Sequence, residues 1–224
     1  MRKGISDQVR GGEFLTMIVI IDYQAGNLTS VARAINHIGF SCSITNDPNK
    51  IKNARRIIFP GVGAAGSAIE SLRNLDLCKA IEHSFNQGKP ILGICLGTQI
   101  ILSNSQENNT KCLNIISGST LAFSDDIKSE NQNPLKIPHM GWNRIIIQKQ
   151  HPVISHIKQI DEFYFVHGFY PLPDQAHHVL ATTHYGISFP SVIGCDNIIA
   201  TQFHPEKSGK PGLKLLENFC NWEL

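Results

Sequence analysis

The chain has 224 residues, 42% of them hydrophobic and 17% charged, enough apolar material for one sizeable core and too little length for two comfortable domains. A formal net charge of +2, with Lys and Arg scattered, gives no field that would draw nucleic acid, and no apolar run approaches the roughly 18 residues needed to span a bilayer. The six cysteines, Cys42, Cys78, Cys95, Cys112, Cys195 and Cys220, include no Cys-x-x-Cys pair, which argues against a zinc site or a small disulfide scaffold.

Residues 1–16 are polar and Gly-containing and lack the continuous apolar segment of a signal peptide. They are expected to be an N-terminal extension, disordered or non-native, ahead of one domain over 17–224 in a cytoplasmic protein. A β-branched run over 17–21 closes at Asp22, and 28–38 has helical apolar spacing that stops at Gly39. The alternation recurs: 56–59 reads as a strand, 64–72 and 79–85 as helices, and 91–94 as a buried strand following Gly88 and Pro90. Alternating strands and helices imply an α/β fold with a mostly parallel central sheet flanked by helices. Beyond about residue 112 the runs shorten to 143–147, 163–166, 178–183 and 198–202, so the second half is expected to be strand-rich. The polar stretch 124–134 reads as an exposed loop between the halves.

Three motifs carry chemistry. Gly93-Ile94-Cys95-Leu96-Gly97 lies where a strand ends and a helix begins, the pattern of a nucleophile elbow with cysteine as nucleophile. A helix N-terminus behind Cys95 favours its thiolate. Gln202-Phe203-His204-Pro205-Glu206 follows an apolar run. In an extended segment residues at i and i+2 project to one side, so Glu206 can fix the tautomer in which His204 takes a thiol proton. Pro60-Gly61-Val62-Gly63 follows another strand, and such a turn can aim backbone N–H groups at an oxyanion, a role assigned to Val62 and Gly63 together with Leu96.

Gly61, Gly63 and Gly66 also spell a dinucleotide fingerprint, but Pro60 precedes it, the strand is not the first of the fold, and no acidic residue closes a second strand about twenty positions on. His177 and His178 are the only adjacent histidines and read as a solvated pair. Thiol acyl chemistry needs no metal and no cofactor.

With the three motifs in this order, residues 17–224 resemble a class I glutamine amidotransferase. Pro138-His139-Met140-Gly141-Trp142-Asn143, Tyr164-Phe165-Val166-His167 and the opening Ile20-Ile21-Asp22-Tyr23 with Gly26-Asn27-Leu28 are similar to signatures of the glutaminase subunits of imidazole glycerol phosphate synthases. That resemblance implies a single amidotransferase domain and a Cys95, His204, Glu206 triad that releases ammonia from glutamine. It implies a glutamine pocket of Gly63, Gln99, Gly168 and Phe169, with Gly168 standing where the family usually has Ser or Thr. It places His139, Met140, Trp142, Asn143, Tyr164 and Lys207 toward a cyclase subunit, a (β/α)8 barrel, in a heterodimer for histidine synthesis. Three other readings remain: a paralogue feeding a synthase that builds amidine groups on surface sugars, a non-catalytic scaffold that activates its partner, and a free-standing cysteine hydrolase.

Overall fold

The computed structural model describes residues 18–224; the extension expected over 1–16 lies outside them. The first half alternates as expected: β1 (Ile18–Ile21), α1 (Leu28–His37), β2 (Cys42–Thr45), α2 (Pro48–Asn53), β3 (Arg56–Gly61), α3 (Ala65–Asn74), α4 (Leu77–Asn86), β4 (Ile91–Cys95) and α5 (Leu96–Ile100). The second half holds the short strands β5 (Asn104–Ser105), β6 (Thr110–Lys111), β7 (Gly118–Ala122), β8 (His139–Arg144) and β9 (Ile146–Ile147). It continues with β10 (Glu162–His167), β11 (Phe169–Pro173), β12 (Val179–Tyr185), β13 (Ile187–Cys195) and β14 (Ile198–Thr201), and closes on α6 (Gly209–Asn221).

Local chemistry sets the helix starts. Asn27 accepts a hydrogen bond from the Ser30 amide at the head of α1, and Asp47 accepts one from Asn49 at the head of α2, with Pro48 in the first turn. Helix α6, strand β2 and strand β13 lie outside the stretches expected from periodicity, whereas β12 falls on the run expected over 178–183. The runs of the first three are short or punctuated by Gly and Pro, so the pattern alone carries little signal.

Eight strands form one sheet in the order β2-β1-β3-β4-β14-β13-β12-β9. The first five pair in parallel and the rest antiparallel, so the chain's two halves meet at β14. Alternate residues of the parallel strands enter two cores. Ile18, Ile20, Ile58, Leu92, Ile94 and Ile199 face α1 and α6; Val19, Ile21, Ile57, Phe59, Ile91 and Ala200 face α2, α3 and α4. Two smaller sheets, the antiparallel β10-β8 and the mixed β11-β7-β5-β6, stand over the C-terminal end of the parallel strands. The polar loop 124–134 is mostly exposed, with Ile127 buried as its anchor.

Register positions the site. Gly61 on β3 is opposite Cys95 on β4, and Ile94 is opposite Thr201 on β14. The Gly-rich turn and the His204 segment therefore leave the sheet on either side of Cys95, in the crevice beyond the strand ends where open α/β sheets bind ligands. The start of α5 is pressed against β3: a Cβ built on Gly97 would lie 1.9 Å from the Phe59 carbonyl oxygen. Gly97→Ala must push backbone from backbone and is expected to cost about 3 kcal/mol of stability. Denaturant unfolding monitored by circular dichroism would check it; an unchanged midpoint would show that the contact yields freely.

Candidate active site

Cys95 ends β4 in a backbone conformation unusual for a side-chain-bearing residue, φ +52° and ψ −105°, and α5 begins at Leu96. This is the sharp strand-to-helix turn expected of a nucleophile elbow, and it leaves the thiol 6% exposed at the sheet's end. Thr98 secures the turn from beneath, its hydroxyl donating to the Thr201 carbonyl at 2.6 Å.

His204 and Glu206 come together by a route other than the one expected. Residues Pro205–Lys207 form a 3-10 turn instead of an extended segment, and this turn folds Glu206 back so that its Oε1 lies 2.8 Å from His204 Nδ1. Both side chains are 3% exposed, so the pair is a desolvated ion pair whenever the ring is charged. Burial opposes that charge, but Cys95 and Glu206 outweigh it and push the imidazole up to about 10. Among the described residues no hydrogen bond of normal geometry reaches His204 Nε2, yet the sulfur is close enough to act on the ring. Gln202, fully buried, donates from Nε2 to Cys95 Sγ at 3.7 Å and accepts from Gln99 Nε2 at 3.1 Å.

Next to the thiol is a cleft of about 390 Å³ lined by Val62, Gly63, Cys95, Leu96, Gln99, Glu107, Pro138, Val166, His167, Gly168 and Phe169. It gathers every residue expected in the oxyanion and glutamine sites. Gly63 takes φ +107°, a value open to glycine and strained for other residues, at the turn facing Cys95. Gly66, the third glycine of the dinucleotide pattern, lies inside α3. Gln99 donates to the Phe169 carbonyl at 3.0 Å.

Glu107 escaped the sequence reading as a site residue. Its carboxylate accepts from the Ala65 amide at 2.6 Å, at the start of α3, and among the described residues it is the only carboxylate lining the cleft. No local pattern could find it, because a two-residue β5 and a single 3-10 turn carry it back over the Gly-rich turn.

The residues expected to face a partner divide into two groups. Met140 and Trp142 are 62% and 55% exposed on β8, Trp142 meets Tyr164 of β10 edge to face at 5.9 Å, and Lys207 Nζ lies 5.8 Å above the Tyr164 ring. They form one aromatic patch joined directly to the triad segment, since the His204 amide donates to the Tyr164 carbonyl at 2.9 Å. Strand alternation turns His139 and Asn143 the other way. His139 is 2% exposed and stacks on Phe165 and Tyr185, so its ring lies behind that face and not on it. His177 and His178 pack on each other in a short turn remote from this cleft, the first exposed and the second half-buried.

Residues 19–222 match the class I glutamine amidotransferase family. The chain belongs to that family. It is 48% identical over 203 residues to the imidazole glycerol phosphate synthase subunit HisH of Nitratidesulfovibrio vulgaris strain DP4, covering 91% of this chain and 95% of that one. The HisH subunit of a Geobacillus species is 40% identical over 206 residues, covering 92% and 96%. The structure of PurLQS from Thermotoga maritima superimposes with a TM-score of 0.68 at 18% identity, over 91% of this chain and 97% of that one, a likeness of fold. Among the described residues no helix is long and apolar enough to cross a membrane.

The raised His204 value has a definite sign. The folded state holds the proton more tightly than the unfolded imidazole, near 6.5, so the stabilisation is complete below that pH and is lost as pH rises toward about 10. Glu206→Gln removes one cause of the shift. The ring is expected to titrate lower, and melting temperature to fall less between pH 6.5 and 10 than in the parent. NMR titration of the imidazole would measure both states, and an unmoved midpoint would remove Glu206 from the account.

Proposed function

We propose that this chain is the glutamine-hydrolysing subunit of an imidazole glycerol phosphate synthase, supplying ammonia to a cyclase subunit in histidine biosynthesis. One observation carries the reading: a buried thiol on a strained elbow stands beside a paired His–Glu and an amino-acid-sized cleft, in a chain 48% identical to a named subunit of that synthase. The 40–48% identical relatives carry the same subunit name, which favours this reading over a paralogue serving a sugar-modifying synthase.

In the mechanism that follows, the Cys95 thiolate attacks the side-chain carbonyl carbon of glutamine. The oxygen gains the negative charge and is received by backbone N–H groups of Val62, Gly63 and Leu96. His204, held by Glu206, passes its proton to the departing nitrogen, the C–N bond breaks, and ammonia leaves a γ-glutamyl thioester on Cys95. Water then adds to the thioester with His204 as base, and glutamate departs as the thiolate returns. Glu107 is suited to the substrate's α-ammonium group, since its carboxylate lines the cleft where it meets the start of α3. Gly63, Gln99, Gly168 and Phe169 hold the rest of the substrate, Gly168 through its backbone only.

Ammonia released in bulk water would be protonated and lose its nucleophilicity, so it must pass directly to the partner. Met140, Trp142, Tyr164 and Lys207 supply an exposed aromatic and cationic face beside the triad for docking a cyclase subunit, a (β/α)8 barrel, as a heterodimer in the cytoplasm. Asn143 and His139 support that face from within.

Glutamate release is expected to rise strongly when the cyclase subunit and its ribotide substrate are both added, and Cys95→Ala is expected to cut it by about 10³-fold or more. Indifference to the cyclase would transfer the chain to another ammonia acceptor, and a Cys95→Ala protein that still consumed glutamine would overturn the mechanism. Trp142→Asp is expected to weaken cyclase binding by roughly thirtyfold without lowering the melting temperature. Isothermal titration calorimetry would read it.

A further inference from the structure

His139 and His167 are buried side by side, His167 in the wall of the cleft and His139 behind it, and the reaction above gives neither a proton to move. Four hydrogen bonds link them in a line. Asn143 Nδ2 lies 3.3 Å from His139 Nε2, His139 Nδ1 lies 3.0 Å from His167 Nε2, and His167 Nδ1 lies 2.7 Å from the Phe169 carbonyl oxygen. Asn143 Nδ2 also donates to the His184 carbonyl at 2.9 Å.

Both ends of this line have a fixed polarity. The Phe169 carbonyl can only accept, so His167 must carry its proton on Nδ1. At the other end the Asn143 amide is oriented twice over, because Nδ2 faces the His184 carbonyl while Oδ1 accepts from the Arg144 amide at 2.8 Å. Its N–H therefore points at His139 Nε2, which must be an unprotonated acceptor. His139 then carries its proton on Nδ1 and gives it to His167 Nε2, and every link is satisfied with two neutral rings. A proton added to either ring would set two N–H groups against each other. Burial agrees, pushing His139 down to about 4 and, with His139 and His204 adding to it and against the Phe169 carbonyl, His167 down to about 3.

The line does not stop at Phe169. The same carbonyl accepts from Gln99 Nε2, which also donates to Gln202 Oε1, and Gln202 Nε2 donates to Cys95 Sγ. We infer that His139 and His167 are positioning residues: a tautomer-locked pair that fixes the Phe169 carbonyl and, through Gln99 and Gln202, the Cys95 thiol from the inner side of β8. The outer side of that strand carries Met140 and Trp142, so the aromatic patch and the head of the line share one strand. The inference rests on the proposed glutamine reaction only for its kinetic assay.

Nitrogen-15 NMR of the intact protein at pH 6.5 tests the pair without any substitution. Both rings are expected as neutral Nδ1–H tautomers, the form free imidazole side chains disfavour in water. An Nε2–H tautomer or an imidazolium at either position overturns the inference. His167→Phe keeps the aromatic packing with Phe123, Phe165 and Phe189 but removes both hydrogen bonds. Assayed with the cyclase subunit, it is expected to lower kcat/KM for glutamine roughly tenfold, mostly through KM. His167→Asn, whose amide can stand where Nδ1–H stands, is expected to recover activity to within about threefold. His167→Phe within about twofold of the parent in kcat/KM, at equal melting temperature, also overturns it. A parent that hydrolyses no glutamine defeats the functional proposal, while the tautomer spectrum still decides this one.

Discussion

The contact of the α5 backbone with the Phe59 carbonyl is the constraint on which the rest of the site depends. With only a hydrogen at Gly97, α5 starts directly against β3, and β4 has to turn within one residue to reach it. That turn places Cys95 at positive φ, an expense of order 1–3 kcal/mol that isolated peptide would refuse. Here it is over-determined: β3 and β14 grip β4 on both sides, the Thr98 hydroxyl ties α5 to β14, and the surrounding aliphatic side chains are fully buried. A rigid hydrophobic sheet thus supports one strained, polar residue at its rim.

Around that residue the interior changes character. Gln99, Gln202, His139, His167 and His204 are all nearly inaccessible, and in an apolar setting each would be costly without partners. Gln99 and Gln202 satisfy one another, the two neutral histidines satisfy one another, and the Phe169 carbonyl joins both sets. Low local polarity makes such bonds stiff and directional, which suits groups that must hold a thiol and a substrate carbonyl within a few tenths of an ångström. His204 differs from the other two buried histidines because Cys95 and Glu206 share its site; the same burial that keeps His139 and His167 neutral is outweighed there by a sulfur and a carboxylate.

Strand β8 connects this interior to the outside. Its alternate side chains separate an exposed Met140 and Trp142 from an inward His139 and Asn143, and β10 beside it delivers the Tyr164 carbonyl to the His204 amide. One narrow antiparallel ribbon therefore bears both the aromatic patch and the backing of the site.

The sequence by itself determined the alternating first half, the Cys95 elbow between two glycines, the Gly-rich turn after β3 and the His-Pro-Glu segment, because these depend on local periodicity and on glycine's freedom near a strand end. It also marked the residues of β8 as special without separating their two faces. Tertiary structure decided the rest. It set the Gly61–Cys95 and Ile94–Thr201 registers that bring three distant motifs together, and the 3-10 turn that closes His204 on Glu206. It also brought Glu107 to the cleft, turned His139 inward, and set the tautomers of two histidines. Each of these is fixed by groups far apart in the chain, through hydrogen-bond polarity and close packing that no local window contains.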